Sequence, residues 1–306
     1  MKWQRWARLL IALFAVGFTV ALALAFRPRV AGVRPAGEGL TDPNAVVEST
    51  SGRAWKVRRA REDVNVEYDR QLTYKDGSTR LLGVKIVTTE RSGARTFTVT
   101  AKEGFVGQNE SVFTVIGDVQ MIASDGLTAK IERALYDEGD GTVRAPGPVE
   151  FTRRRLSGTG VGMTYDKNQD VLVILDQAHI LMQGGAGGVA TEVTAPTATL
   201  ARHDRYLRFD HGSRTKRSGQ VIESDSTVAH LSEDGERVES VELRQNAKIT
   251  ASNAQPGALE SLTGRDMDLK YAAGEVLERA VIRGDATLHV AGSAGSASRQ
   301  LTATTL

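Results

Sequence analysis

Residues 113–166 read FTVIGDVQMIASDGLTAKIERALYDEGDGTVRAPGPVEFTRRRLSGTGVGMTYD. Every second position from residue 113 to residue 123 is apolar or glycine, whereas the positions between them include Thr114, Asp118 and Gln120. A period of two gives a β-strand one apolar face and one largely polar face. The segment therefore predicts β-strands that bury one side.

This strand-turn-strand unit recurs at least five times between about residues 97 and 290, with no helix-period segment between the copies. The turns are rich in Gly, Asn and Asp, which tolerate tight or positive-φ backbone. The second strand of each copy carries a small or apolar residue and, two positions later, a larger apolar residue. These pairs are Val119 and Met121, Val149 and Phe151, Ala178 and Ile180, Ala247 and Ile249, and Ala286 and Leu288. The repetition predicts an all-β protein.

Glycine comes just before several of these small residues, as in Gly117-Asp118-Val119, Gly147-Pro148-Val149 and Gly284-Asp285-Ala286. A glycine inside a strand marks a bend, a bulge or a close backbone approach. Strands that all bend at one level would fold the sheet over along a continuous line, which we call the crease. Residues 207–213 fit this pattern poorly.

The basic character of the chain is concentrated at its N-terminus. The chain carries 39 Lys and Arg against 37 Asp and Glu, and the first 34 residues hold six of the basic side chains and no acidic one. The remainder is near neutral to slightly acidic, which argues against nucleic acid as a partner.

An uncharged apolar stretch of 18 residues, 9–26, follows Trp3 and Trp6. Its length predicts a membrane anchor over residues 1–26, although Ala23-Leu24-Ala25 also has the form of a signal-peptide cleavage site. We expect a retained single-pass inner-membrane anchor with the bulk of the chain in the periplasm. Residues 27–54 lack periodicity and hold several prolines, which predicts a linker and a body beginning near Trp55.

Motifs for catalysis or metal binding are absent from the sequence. The chain has no cysteine, and none of its five histidines forms an H-E-x-x-H pair. The glycines from Gly158 to Gly162 lack the strand-before, helix-after context of a nucleotide loop. We therefore expect a non-enzymatic protein with no catalytic residue, no metal and no cofactor.

Arg153, Arg154 and Arg155 form the densest basic run of the body. Arginine forks suit phosphate binding, and charged strand ends also protect exposed sheet edges from aggregation. Both interpretations stay open.

Several motifs between residues 123 and 180 follow the order and spacing of a known family. They are Ser124-Asp125-Gly126-Leu127, Tyr136-Asp137, the run GTVRAPGPV at 141–149, the run LSGTG at 156–160, and Met163-Thr164-Tyr165-Asp166. The segment resembles the lipopolysaccharide-transport proteins LptC and LptA, the OstA-like family. The resemblance implies an elongated β-jellyroll folded like a taco, whose apolar interior carries the acyl chains of lipid A. It also implies edge-to-edge assembly into a bridge from an inner-membrane ABC transporter toward the outer membrane.

The resemblance divides the body in two. Residues 55–183 correspond to an LptC-like β-jellyroll, and residues 184–306 are predicted to be an OstA/LptA-like β extension continuous with it. Residues 301–306 open another copy of the unit, which predicts a sheet edge that accepts an LptA-like bridge protein by β-augmentation. The same ending fits a chain that continues further.

The predicted lipid groove is the apolar side of the second strands. Its residues are Phe113, Val115, Val119, Met121, Val149, Phe151, Ile174, Ala178 and Ile180. Their alternative role is a sealed sandwich core. Two other functions remain open for the whole protein: a periplasmic or surface β-solenoid that binds polysaccharide, and a purely structural envelope spacer.

Overall fold

The computed structural model describes residues 41–58, 62–90, 96–107, 112–137, 139–184, 189–235, 237–252, 255, 258–272, 276–292 and 299–306. Contacts divide the chain between Pro43 and Asn44, and every described strand lies in the second unit. The predicted anchor, residues 1–26, lies outside the described residues. Within the described residues, no helix is both long and apolar enough to cross a bilayer.

The second unit contains 17 described strands. They are β1 (Ala45–Arg58), β2 (Glu62–Tyr74), β3 (Thr79–Glu90), β4 (Thr96–Val106), β5 (Val112–Ala123), β6 (Leu127–Asp137), β7 (Thr142–Arg153), β8 (Leu156–Asp166), β9 (Val171–Met182), β10 (Thr191–Ala195), β11 (Thr197–Ala201), β12 (Tyr206–Arg217), β13 (Gln220–Leu231), β14 (Val238–Ala251), β15 (Leu259–Tyr271), β16 (Leu277–Val290) and β17 (Arg299–Thr305). The prediction of an all-β fold of repeated strand-turn-strand units is confirmed.

The strands form one antiparallel meander in which each strand pairs with the strands before and after it in sequence. Among the described strands, the exceptions are β10 and β11, which both pair with β9 on one side and with β12 on the other. Pro196 separates these two short strands, and a proline has no N–H to donate to a sheet. They therefore act as the two halves of one strand.

The sheet begins earlier than predicted, because β1 starts at Ala45 and pairs with β2 from Ala45 to Arg58. The prediction of a linker up to residue 54 and of a body opening at Trp55 is corrected accordingly. Residues 48–52 are Glu-Ser-Thr-Ser-Gly and lack the apolar alternation of a buried strand. Residues 46–52 of this edge strand are exposed or half-buried, so this part of β1 has no buried face that apolar side chains would have to fill.

Most strands bend near their middle. The pairing register shifts between Ile116 and Val119 in β5, between Arg244 and Ala247 in β14, and between Arg283 and Ala286 in β16. Positive φ angles occur at these shifts, at 83° for Gly117 and 73° for Gly284, a region that glycine adopts without steric cost. Such bulges bend a strand. The glycine-marked bends predicted for β5 and β16 are therefore present.

The bends fold the sheet into two layers that face each other. The rings of Phe97 on β4 and Tyr165 on β8 lie 6.4 Å apart between centroids, although β4 and β8 are not paired. The contact therefore crosses the interior. Alternate residues of each strand point into this interior.

One row of inward residues follows the bends from strand to strand. We call it the crease row, and its members are partners in register or flank a register shift: Val119, Ile131, Val149, Gly160, Ala178, Ala195, Ser213, Ser224, Ala247, Gly264, Ala286 and Ala303. From Gly160 onward every member is glycine, alanine or serine. The row therefore changes from branched side chains to small ones along the sheet.

The small members let the opposite layer pack closely onto the sheet. A Cβ placed on Gly160 would lie 2.2 Å from Ile174 Cγ2, and one on Gly264 would lie 2.3 Å from Ile282 Cγ2. In the second of two apolar clusters, which spans β14–β16, Leu243, Met267 and Ala286 have no exposed surface. The interior at β14–β16 is therefore a packed core.

Candidate functional site

The interior of the other half of the sheet contains a cavity of about 610 Å³. Its apolar lining comes from β2 to β9 and from β11: Val64, Val66, Leu81, Ile86, Phe97, Val99, Val106, Phe113, Val115, Val119, Met121, Leu127, Ile131, Ala134, Val143, Met163, Leu172 and Leu200. Ligand cavities in proteins have volumes of about 300–1,000 Å³ and mostly apolar walls. The cavity is large enough for part of a lipid.

Four residues predicted for the lipid groove line this cavity, namely Phe113, Val115, Val119 and Met121 on β5. Strand β5 supplies four lining residues because its apolar positions alternate on both sides of the bend at Gly117. Val115 and Val119 are 5% and 2% exposed.

The other five predicted groove residues pack in the same apolar cluster but do not line the cavity. These are Val149, Phe151, Ile174, Ala178 and Ile180, and none is more than 4% exposed.

The glycines of β8 account for this difference. A Cβ on Gly158 would lie 2.5 Å from the Phe151 ring and 2.7 Å from Ile180 Cδ1. Because Gly158 has no side chain, Phe151 and Ile180 pack directly against the β8 backbone and fill the space beside the cavity. The run from Gly158 to Gly162, which superficially resembles a nucleotide loop, is part of a strand as predicted.

Several lining residues lie before the first predicted repeat. Val64 and Val66 come from β2, and Leu81 and Ile86 come from β3. The alternation Val64-Asn65-Val66 was a signal for an inward strand face. This alternation lies outside the repeat pattern, which begins near residue 97.

The cavity wall becomes charged where the ends of the two layers meet. We call this group the rim cluster, and it consists of Asp125, Arg153, Lys167, Asp170 and Arg202. All of its members except Asp125 line the cavity. Asp125 lies in the turn between β5 and β6, whereas Arg202 follows β11.

Ion pairs connect four members of the rim cluster across the two layers. Arg202 Nη1 lies 3.2 Å from Asp170 Oδ2 and 3.6 Å from Asp125 Oδ2, and Arg153 Nε lies 3.3 Å from the same Asp125 oxygen. The Tyr165 hydroxyl donates a hydrogen bond of 3.0 Å to Asp170 Oδ1. Arg202 thus faces one carboxylate from each layer.

The three arginines of the 153–155 run are not gathered at one point. Arg153 lies in the rim cluster, whereas Arg155 donates from Nε and Nη2 to the Gln183 carbonyl at 2.7 and 2.5 Å. Arg154 occupies the turn between β7 and β8 with φ at 52°. A phosphate role for the whole run stays a prediction, and only Arg153 lines the cavity.

No group of three His, Asp or Glu side chains with metal-binding geometry occurs among the described residues. His179 Nε2 lies 2.9 Å from Glu192 Oε1, and His230 Nε2 lies 3.1 Å from Glu242 Oε1. The His179 contact lowers the pKa of Glu192, and Lys216 lowers it further. Both pairs lie across neighbouring strands, outside the cavity lining.

Comparison with known protein families finds a match for part of this chain. No curated protein matches it. The family model described as lipopolysaccharide-assembly, LptC-related, matches residues 71–183. That segment contains the lining residues from β4 to β9 and four members of the rim cluster. Residues 71–183 of this chain are therefore similar to LptC-related lipopolysaccharide-assembly proteins.

Proposed function

We propose that this protein is a non-enzymatic component of a lipopolysaccharide export bridge, and that its cavity shields acyl chains of lipid A from water. The observation that carries the proposal is an apolar cavity of about 610 Å³ that lies largely within the LptC-related segment. Phe113, Val115, Val119 and Met121 would contact the chains directly. The five packed residues on β7 and β9 would support the cavity wall.

The driving force for holding acyl chains is the removal of apolar surface from water. Each Å² buried is worth about 25 cal/mol, so an apolar interior lowers the cost of moving a lipid through an aqueous compartment. Burial alone gives no direction to this movement. Directional transport would come from ATP hydrolysis by an inner-membrane ABC transporter.

The proposed location is the periplasmic side of the inner membrane, with residues 1–26 as a single-pass anchor. Within the described sheet, β1 pairs only with β2 and β17 only with β16, so each offers backbone groups to an added strand. An LptA-like bridge protein would join at such an edge. Residues 184–306 would extend the bridge beyond the matched segment.

Site-specific photo-crosslinking in transport-competent cells tests the proposal. Phe113 lines the cavity, whereas Phe105 on β4 is not part of its lining and lies beneath the Arg80 guanidinium. Benzoylphenylalanine in place of Phe113 should form adducts with lipopolysaccharide, and the same replacement of Phe105 should form far fewer. Absence of adducts at Phe113 would refute the carrier role.

The packed interior of β14–β16 favours a second role for that part of the chain. Leu243, Met267 and Ala286 are fully buried there, so this segment would serve as a structural spacer. Mass spectrometry of lipid that co-purifies with the full chain separates a carrier from a protein that is a spacer throughout. A chain free of bound lipid would support the spacer role for the whole molecule.

A further inference from the structure

The rim cluster places charged groups at the edge of an apolar cavity. The exposed fractions of the side chains are 14% for Asp125, 18% for Arg153, 29% for Asp170 and 35% for Arg202. Partly buried ion pairs lose hydration, and the free energy of their mutual attraction does not always offset this loss. Apolar residues of similar volume are often equally stabilising. The contact between the ends of the two layers therefore does not by itself require charged residues.

The rim cluster contains three cations, Arg153, Lys167 and Arg202, and two anions, Asp125 and Asp170. Its formal charge is therefore positive by one unit. The contacts of Arg202 to the two carboxylates run through the single atom Nη1, at 3.2 and 3.6 Å. A guanidinium forms its strongest contacts with carboxylate or phosphate through two parallel N–H donors. Arg202 would therefore bind more strongly to an anion that accepts from two of its N–H donors in parallel.

We infer that the rim cluster is the binding site for the anionic headgroup, phosphate or carboxylate, of the amphiphile whose chains occupy the cavity. This inference rests on the proposed function, because it takes the cavity as the place of the chains. Arg202 would exchange its contact with Asp170 or Asp125 for the headgroup, and Arg153 and Lys167 would add positive charge beside it. Because Arg202 also faces Asp125 across the two layers, a bound headgroup would loosen that contact.

Binding of short amphiphiles to the full chain in a non-ionic amphipol tests the inference. The probes are decyl phosphate, decyltrimethylammonium and inorganic phosphate, and their dissociation constants are measured by equilibrium dialysis. The wild-type chain should bind decyl phosphate about tenfold more tightly than decyltrimethylammonium, since one charge-assisted contact is worth roughly that ratio. Inorganic phosphate should bind far more weakly, because it has no chain to bury.

Two substitutions should change the affinity in opposite directions. Arg202→Gln should remove most of the preference for decyl phosphate while decyltrimethylammonium still binds. Asp170→Asn should strengthen decyl phosphate binding about threefold, because Arg202 loses a competing charge while the amide oxygen can still accept from Tyr165. Arg214→Gln is the control, since Arg214 pairs with Glu223 at 2.9 Å outside the cavity lining, and it should match the wild type.

Each remaining outcome has one meaning. Equal binding of decyl phosphate and decyltrimethylammonium, unchanged by Arg202→Gln and Asp170→Asn, would overturn the headgroup site and leave the carrier function intact. Equal affinity for inorganic phosphate and decyl phosphate would make the cluster a free-phosphate site and would also overturn it. Failure of both decyl probes to bind would contradict the carrier function itself.

Discussion

Gly160 occupies the crease row where the branched residues of that row give way to small ones. Its backbone lies beneath Ile174, which is 1% exposed, and a Cβ at this position would come within 2.2 Å of the Ile174 Cγ2 methyl and 3.1 Å of the Asp176 carbonyl oxygen. A β-branched methyl has little freedom to move away. Gly160 therefore sets how closely the two layers approach beside the cavity.

Replacing Gly160 with alanine should destabilise the protein by about 1–3 kcal/mol, the usual cost of overpacking a dense core. The matched control is Gly147→Ala, because Gly147 lies at the corresponding bend of β7 and its added Cβ would meet no atom within 4 Å. Urea unfolding of the full chain measures both changes. Equal stabilities of the two variants would contradict the close packing of Ile174 on the sheet.

The residues of the cavity could be predicted from sequence only in part. Alternation along β5 identified Phe113, Val115, Val119 and Met121. The same rule also selected Phe151 and Ile180, because periodicity reports which face of a strand is buried and not whether that face is packed or hollow. The packing of these two residues depends on Gly158, which lies on a neighbouring strand, and this relation requires the register between strands.

Within a single strand, the backbone groups at each bend lose their hydrogen-bond partners in the sheet and need other partners. In β14 the bend consists of Gln245 and Asn246, with φ at 61° and 52°. The Gln245 N–H donates to Asp266 Oδ1 on β15 at 3.1 Å, and Asn246 Nδ2 donates to Asp225 Oδ2 on β13 at 2.8 Å. Side chains from both neighbouring strands therefore hold this bend.

Replacing Asp266 with alanine should destabilise the protein by about 1 kcal/mol near neutral pH, because the Gln245 N–H loses its acceptor. The hydrogen bond from this N–H is the main cause that lowers the pKa of Asp266 from the ordinary value of 3.8, and the hydrogen bond from the Arg265 side chain lowers it further. A lowered carboxyl pKa contributes stability that is fully present above pH 3.8 and is lost as the pH falls through the lowered value. The difference between wild type and variant should therefore shrink in acid.

Urea unfolding at pH 7 and at successively lower pH values measures this difference. Glu260→Ala on the same strand is the control, since Glu260 is exposed, and its effect should stay within about 0.5 kcal/mol. A stability difference for Asp266→Ala that is independent of pH down to the unfolding limit would contradict the role of the carboxylate at this bend.

The bent strands were predictable where a glycine lies within an alternation of apolar and polar residues, and they were less predictable where one of these signals is missing. Residues 207–213 fit the repeat poorly because the expected small apolar residue after the bend is Ser213. In the structure Ser213 is 4% exposed, and its hydroxyl lies 2.6 Å from the Thr227 hydroxyl and 3.3 Å from that of Ser224. Hydrogen bonding between strands thus allows serine to occupy a crease position, and a single-strand pattern does not contain that information.

At the scale of the whole sheet, one continuous meander contains two different interiors. Around β5 the crease row carries Val119 and Ile131, and a cavity remains above them. Around β15 the row carries Gly264 and Ala286, and Met267 fills the space with no exposed surface. Branched residues in the crease row hold the layers apart, whereas small ones let the layers meet. The repeat pattern is the same in both halves, so the sequence repeat alone did not distinguish them.

This difference predicts opposite responses to the same enlargement of an alanine. Ala134 lines the cavity, so Ala134→Leu should leave the urea stability nearly unchanged while weakening decyl phosphate binding, because the new side chain occupies the space of the ligand. Ala286 is fully buried in the packed half, so Ala286→Leu should destabilise the protein by about 1–3 kcal/mol. Equal destabilisation by both substitutions would mean that the cavity is filled by protein in solution, and it would remove the physical basis for carrying a lipid there.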